Sequence, residues 1–249
     1  MTKISAVIIT KNEAGNIEAC LEPLFEVADE VLVVDSGSED DTVAISRRMG
    51  ARVIETAWQG FSETKNLANR QAENDWILSI DADEVVSSEL LATLKKLTPE
   101  KDTIYALDRI TRYGDRWIKH SGWYPEWKNR LFHREQARWE GDFVHEELSF
   151  DATLRVKKLT GKLYHYSYKG DADHLERIRR YAELSADELF TQGKRAGFIK
   201  LYLSPVFRFL RSYFVKAGFL DGKAGLTIAK MDYHLVKMKY RALVEKYKK

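Results

Sequence analysis

The sequence predicts an α/β fold with a mostly parallel sheet, helices on both faces, and a helical extension at the C-terminal end. Three observations carry this. Apolar runs of strand length alternate with helix-patterned segments through the N-terminal part. The runs are continuously apolar rather than alternating, as strands buried on both faces require. Polar clusters stand at the carboxyl ends of three of them, where open sheets of this kind bind ligands.

The elements follow in order. Ile4–Thr10 reads as a first strand rather than a signal peptide, because one basic residue precedes it and no small-residue cleavage site follows. A helix carries Ile17, Cys20, Leu21 and Leu24, and Glu30–Asp35 is the second strand. A helix from about Asp40 to Met49, a strand Arg52–Thr56, a helix near Ser62–Ala72 and a strand Trp76–Asp81 continue the alternation. From about Tyr105 the pattern becomes loop-rich and dense in aromatics and charge, as in "YGDRWIKHSGWYPEWKNRLFHR". Two strands, Thr153–Leu159 and Lys162–Tyr168, come next. A helix then starts near Asp173, which with Glu176 resembles a capping box. Residues 194–249 read as helical, and Ser204-Pro205 as an N-cap with Pro at the first helical position, which would divide the tail into two helices.

Charge is distributed unevenly. The net charge is +2, yet from Lys194 onward there are 14 Lys and Arg against 3 Asp and Glu, and before it 26 against 35. An acidic body with a basic, aromatic-rich tail points to an anionic surface facing the tail. The polar residues Lys200, Ser204, Arg208, Arg211, Ser212 and Lys216 recur at helical spacing among apolar ones, as in a helix lying in a membrane interface. No apolar stretch reaches the ~20 residues of a span. Nucleic acid is disfavoured, because phosphate would be repelled by the acidic body. The single cysteine, Cys20, suits a reducing compartment.

In "ILSIDADE", Asp81 and Asp83 stand at i and i+2 where the fourth strand leaves the sheet. Two such carboxylates can hold a hard divalent cation with diphosphate oxygens completing its shell, or can belong to a solvated turn before a helix capped by Ser87. Asp35, ending the second strand, is placed to accept hydrogen bonds from a nucleobase or ribose, or to close an Asx-turn with Ser36 and Ser38. No glycine-rich dinucleotide fingerprint and no Walker sequence is present.

The ordered set "VIITKNEAGNI", "VVDSGSEDDT", "SETKN" and "SIDADE" resembles the family 2 inverting glycosyltransferases of GT-A, Rossmann-like fold. The later "WKNRLFHR", "ARWEGDFVHEEL", "LYHYSY" and "AGFLDGKAG" resemble the lipopolysaccharide-core β-1,4-glucosyltransferase branch. The resemblance implies a catalytic domain over 1–193, with a nucleotide-binding half (1–100) and an acceptor-side half (101–193), and a tail over 194–249. It implies that Thr10, Glu13 and Asp35 line the nucleoside pocket and that Lys65 reaches the base or diphosphate. Asp81 and Asp83 would bind ribose and a divalent metal, Mn2+ or Mg2+, and His145 would complete the metal shell or contact phosphate, with a buried, hydrogen-bonded histidine as the alternative.

The resemblance implies a base downstream of the DxD, and Glu146 is the expected one because His145-Glu146 matches the "VHE" of the resembling branch, with Asp142 and Glu147 the other carboxylates in "GDFVHEEL". Alternation along an extended chain would send Glu147 to the opposite side. Arg130 and His165 are candidates for diphosphate and for lid or acceptor contact, each with a structural role as the alternative. Lys65 as a solvated helix residue is another alternative, and Glu84 is expected only to begin an acidic turn. Trp117, Trp123, Tyr124, Trp127 and Trp139 would stack on sugar or pack a small subdomain. The implied activity is hexose transfer, from UDP-glucose, to a lipid-linked saccharide such as inner-core heptose, by a peripheral protein on the cytoplasmic face of the inner membrane. A non-catalytic module of the same fold and a haloacid-dehalogenase-like phosphatase are the competing classes. Against the phosphatase, three β-α units precede the DxD, and no clean acidic pair follows.

Overall fold

The computed structural model describes residues 2–141, 146–168 and 170–248. By their contacts they form two units: residues up to Arg109 with Glu126–His165, and Ile110–Pro125 with the chain from Tyr166 onward. This grouping differs from the expected division at 193/194.

The first unit is built on β1 (Ile4–Thr10), β2 (Glu30–Asp35), β3 (Arg52–Glu55) and β4 (Trp76–Asp81). β1 pairs in parallel with β2 on one side and β4 on the other, and β3 extends the sheet beyond β2. Alternate β1 residues enter two separate cores. Ala6 and Ile8 join Ile17, Leu21, Leu24, Leu78 and Ile80 on one face. Val7 joins Leu32, Val34, Ala68, Ala72, Ile77 and Phe132 on the other. Burial on both faces is why these strands are continuously apolar. α1 (Ile17–Leu21), α2 (Thr42–Met49) and α3 (Phe61–Gln71) follow the first three strands. Gly50, at φ +97°, closes α2 in the left-handed conformation.

The region expected to be loop-rich is largely strand. β5 (Glu84–Val86) leads to α4 (Ser88–Lys96), then β6 (Thr103–Tyr113), β7 (Arg116–Trp117), β8 (Glu126–His133), β9 (Ala137–Glu140), β10 (Glu147–Phe150) and β11 (Arg155–Tyr168). β8 adds antiparallel to β4 and to β6, and β9 pairs antiparallel with β10. The main sheet runs β3-β2-β1-β4-β8-β6-β11-β5. β6 escaped recognition because its charged residues are buried with partners rather than solvated: Asp108 is paired with Lys162, and Arg109 with Glu84 and Glu126.

The two strands expected over 153–168 are one, β11, with Gly161 at φ +104° inside it. Ser87, the cap of α4, accepts hydrogen bonds from Leu90 N–H (3.2 Å) and Lys162 N–H (2.9 Å). The start of α4 is thereby tied to β11, which pairs with β5.

In the second unit α5 (Asp171–Thr191) packs along α7 (Gly222–Lys246), and α6 (Ser204–Leu210) also packs on α7. Tyr113, Ile118 and Ile228 form its small core with Trp123 and Tyr168 beside them. α5 begins at Gly170 without a side-chain cap, and Asp173 instead pairs with Arg177 at 3.2 Å, so the capping-box expectation fails. Ser204 is likewise no N-cap, because its backbone is already helical. The π-helical turn Ile199–Leu203 runs directly into α6, and a second, Arg211–Val215, continues from it.

A Cβ on Gly161 would overlap the backbone nitrogen and Cα of Leu90, whereas one on Gly114, also at positive φ, meets nothing within 4 Å. Gly161→Ala is therefore expected to cost more than about 3 kcal/mol in denaturant unfolding, against ~1–2 kcal/mol for Gly114→Ala.

Candidate active site

The site assembles at the carboxyl end of β4. Lys65, on α3, is only 3% exposed, which excludes the solvated-helix alternative. Its ammonium lies 2.9 Å from Asp81 Oδ1 and 3.3 Å from Glu146 Oε1, with the Trp139 ring centroid 4.3 Å away. Two carboxylates and an aromatic face offset the cost of burying a lysine. α3 holds this arrangement by clamping β9: Asn66 donates to the Trp139 carbonyl (2.8 Å) and accepts from its N–H (2.9 Å).

Arg130, on β8, is equally buried and binds the other oxygen of Asp81 together with Glu84 Oε1 (2.6 Å). Glu84 is wholly buried, accepts the Asp81 N–H at 3.0 Å and also meets Arg109 at 3.1 Å. Arg109 then grips Glu126 through two hydrogen bonds of 2.8 Å, and Lys128 lies 3.0 Å from the same carboxylate. The result is an unbroken chain of alternating charge: Glu146, Lys65, Asp81, Arg130, Glu84, Arg109, Glu126, Lys128.

Burial pushes the Asp81 carboxyl up, but Arg130 and Lys65 outweigh it and hold it well below the usual carboxylate range. Burial likewise opposes ionisation of Glu126, yet Arg109 and then Lys128 lower it to about 2. Glu84 is thus a buried strand residue and not the start of a solvated turn. The close carboxylates Asp81 and Glu84 are neutralised by the protein's own cations. Asp83 is handled differently, with Oδ2 lying 3.3 Å from Nε2 of His165 on β11.

An open cavity of about 450 Å³ lies over this chain, and Lys65, Asp81, Arg109, Arg130, Trp127, Trp139, Glu146 and Glu147 are among the residues that line it. Glu147 therefore shares the cavity with Glu146 instead of turning away, because β10 begins only at Glu147. Lys65 reaches Glu146. His145 and Asp142 lie outside the described residues. Trp117 and Trp123 belong to the second unit, where Trp117 packs on Tyr166 and Trp123 on Tyr113, Tyr168 and His174.

At the ends of β1 and β2, Asp35 is 1% exposed and closes the Asx-turn, accepting from Gly37 N–H (3.0 Å), Ser38 N–H (2.8 Å) and the Ser38 hydroxyl. Thr10 Oγ1 and Ser36 Oγ beside it are buried without a hydrogen-bond partner among the described residues. Glu13 accepts from Asn16 Nδ2 at 2.7 Å. The parallel pairing of β1 with β2 and β4 brings these ends together, and Cys20 Sγ lies 3.5 Å from the Asp81 carbonyl; burial, followed by the charges of Glu84, Asp83, Asp81 and Glu13, pushes its thiol well above the ordinary value. Among the described residues, no three His, Cys, Asp or Glu side chains are grouped to hold a metal by themselves.

The family model of glycosyl transferase family 2 matches residues 5–160. The chain belongs to glycosyl transferase family 2. A relative described as an uncharacterized glycosyltransferase, from Rickettsia prowazekii, is 32% identical over 238 residues, covering 90% of this chain and 81% of its own. The lipopolysaccharide core biosynthesis glycosyltransferase LpsC of Rhizobium meliloti is 31% identical over 244 residues, covering 91% and 88%. Among solved structures, glucosyl-3-phosphoglycerate synthase of Mycobacterium tuberculosis, in complex with Mn2+ and UDP-glucose, overlaps 45% of this chain and 44% of its own at 23% identity, with a TM-score of 0.36.

In this family 2 glycosyltransferase, sequence reasoning missed Glu84 and Arg109 as members of the site. The available signal was a charged pair, Asp108-Arg109, inside an otherwise strand-like apolar run. Glu84→Gln would leave Arg109 and Arg130 buried with too little negative charge, and is expected to cost about 3 kcal/mol or more. Glu126→Gln, whose carboxylate is partly exposed and whose loss leaves Arg109 still paired with Glu84, is expected to cost less, about 1–2 kcal/mol. Urea unfolding of the two variants beside the parent measures the difference.

Proposed function

We propose that the chain transfers a hexose, glucose from UDP-glucose, with inversion to a lipid-linked saccharide, the heptose region of a lipopolysaccharide core. The observation that carries this reading is Lys65, which joins the carboxylate ending β4 to Glu146 across one cavity. The kinship with LpsC supports the acceptor class. The reaction would take place on the cytoplasmic face of the inner membrane, where a lipid-linked acceptor meets a nucleotide-sugar donor.

On the donor side, Thr10, Glu13 and Asp35 would surround the nucleoside, with the hydroxyls of Thr10 and Ser36, which have no hydrogen-bond partner among the described residues, suiting polar base or ribose atoms. Lys65 and Arg130, both fixed on Asp81, would present positive charge to the diphosphate. Asp81, already bound at both oxygens, is better suited to orienting those cations and the ribose than to direct metal ligation. A divalent cation fits Asp83 and His165, one hard oxygen donor and one imidazole at 3.3 Å, with substrate oxygens filling the remaining shell. When bound, Mn2+ or Mg2+ would stabilise the charge of the departing diphosphate.

Glu146 would accept the acceptor hydroxyl proton as that oxygen attacks the anomeric carbon from the face opposite the leaving group. Lys65, 3.3 Å away, keeps the carboxylate oriented toward the cavity. Trp127 and Trp139, in the wall, offer apolar surface for a sugar face.

A UDP-release assay with UDP-glucose, core acceptor and Mn2+ or Mg2+ tests this reading. Glu146→Gln is expected to lower transfer on the order of 10³-fold while donor binding persists, as for loss of a general base. In the same assay Asp83→Ala is expected to lose stimulation by divalent metal. Unchanged transfer by the Glu146 variant would move the base to Glu147 or Asp142, and unchanged metal dependence in the Asp83 variant would refute the metal assignment.

A further inference from the structure

The segment 194–220 carries six Lys and Arg and no Asp or Glu. It also carries the most exposed apolar side chains of the second unit: Phe198 (69%), Ile199 (67%), Phe207 (68%), Phe214 (57%) and Val215 (75%). Exposure of this extent is abnormal for a folded monomer and marks an interaction surface. The two π-helical turns, Ile199–Leu203 and Arg211–Val215, coincide with four of these five residues or their neighbours, a placement typical of functional helices. α7 has a different role. Its Ile228, Ala229 and Leu243 are buried and it packs along α5 and α6, so the basic tail does not act as one uniform anchor.

We propose that the helical segment 197–220 docks this protein on an anionic lipid bilayer, inserting the exposed aromatic and aliphatic side chains among the acyl chains while Lys200, Arg211 and Lys216 meet the headgroups. Charge selects this occupant over the alternatives. A second copy applied through the same face would bring the cations Lys200, Arg208, Arg211 and Lys216 against their own counterparts, with no acidic residue in the segment to compensate and, among the described residues, only Arg208 paired elsewhere, to Asp232. Crossing the membrane is not available, since no helix among the described residues is long and apolar enough. A mixed basic and aromatic helical face without acidic residues is the composition of an interfacial segment. This deepens the lipid-linked-acceptor reading and rests on it for its purpose, but the surface itself is testable without any sugar donor.

The test is cosedimentation of the full-length chain with vesicles of phosphatidylcholine alone and of phosphatidylcholine mixed with phosphatidylglycerol. Binding is expected to the mixed vesicles and to fall with added salt. Phe207→Ser and Val215→Ser are each expected to weaken the partition about tenfold, in line with the loss of one inserted apolar side chain. Lys200→Gln with Arg211→Gln should reduce binding to the anionic vesicles and leave binding to phosphatidylcholine unchanged. Unchanged thermal unfolding of these surface variants establishes that they are folded.

Binding that is absent, or indifferent to the apolar substitutions, overturns the proposal. So does a concentration-dependent dimer, in light scattering without lipid, that Phe207→Ser abolishes; that result would assign the face to a second copy. A chain that binds vesicles yet turns over no UDP-sugar would keep this surface and sink the catalytic reading. A chain that transfers sugar yet ignores vesicles would do the reverse.

Discussion

The ion pair between Lys65 and Asp81 is the constraint on which the rest of the site depends. Lys65 is almost fully buried, so it must be surrounded by negative charge, and it satisfies that need with one carboxylate from the end of β4 and another from the segment before β10. Asp81 in turn anchors Arg130, whose burial requires Glu84, whose burial requires Arg109. Each member is tolerable only because its neighbours are in place. Such a network contributes little net stability compared with apolar packing, but it fixes orientation, which a glycosyl transfer between two bound substrates needs.

The sheet edge explains why this network can exist. β1 and β4 run parallel and bring Thr10, Asp81 and Asp83 to the same end, while β8 lies antiparallel beside β4 and supplies Arg130 from the opposite chain direction. A purely parallel sheet would place only strand ends there. The antiparallel additions send side chains from strand interiors, Arg109 and Arg130, into the same place. The Asx-turn at Asp35 and the tie between Ser87 and Lys162 stiffen the flanking loops.

The parallel half was legible in the sequence because its strands are buried on both faces and end in polar residues, so apolar run and boundary coincide; Ile4–Thr10, Glu30–Asp35 and Trp76–Asp81 match the expected limits. The antiparallel half was not, because Asp108, Arg109 and Arg130 are charged residues in strand interiors, and their partners are distant in sequence. The same reason hid Glu84: three carboxylates in four residues look solvated unless Arg109 and Arg130 are known to be adjacent. Asp81 was expected from residue type and position, and Lys65 and Glu146 from the family resemblance, but that Asp81 and Glu146 share the Lys65 ammonium is a property of the fold alone. In the tail, the basic and aromatic pattern was visible, whereas the separation between an exposed segment and a packed α7 depended on contacts that helical periodicity does not reveal.

The most direct test of this account is a double-mutant cycle on transfer rate for Lys65→Met and Glu146→Gln, with UDP binding measured alongside. If Lys65 orients the base, Lys65→Met alone should slow transfer by about 10²-fold or more, and adding Glu146→Gln should reduce the rate little beyond Glu146→Gln alone. Losses that multiply independently, or a Lys65→Met protein as fast as the parent, would contradict it.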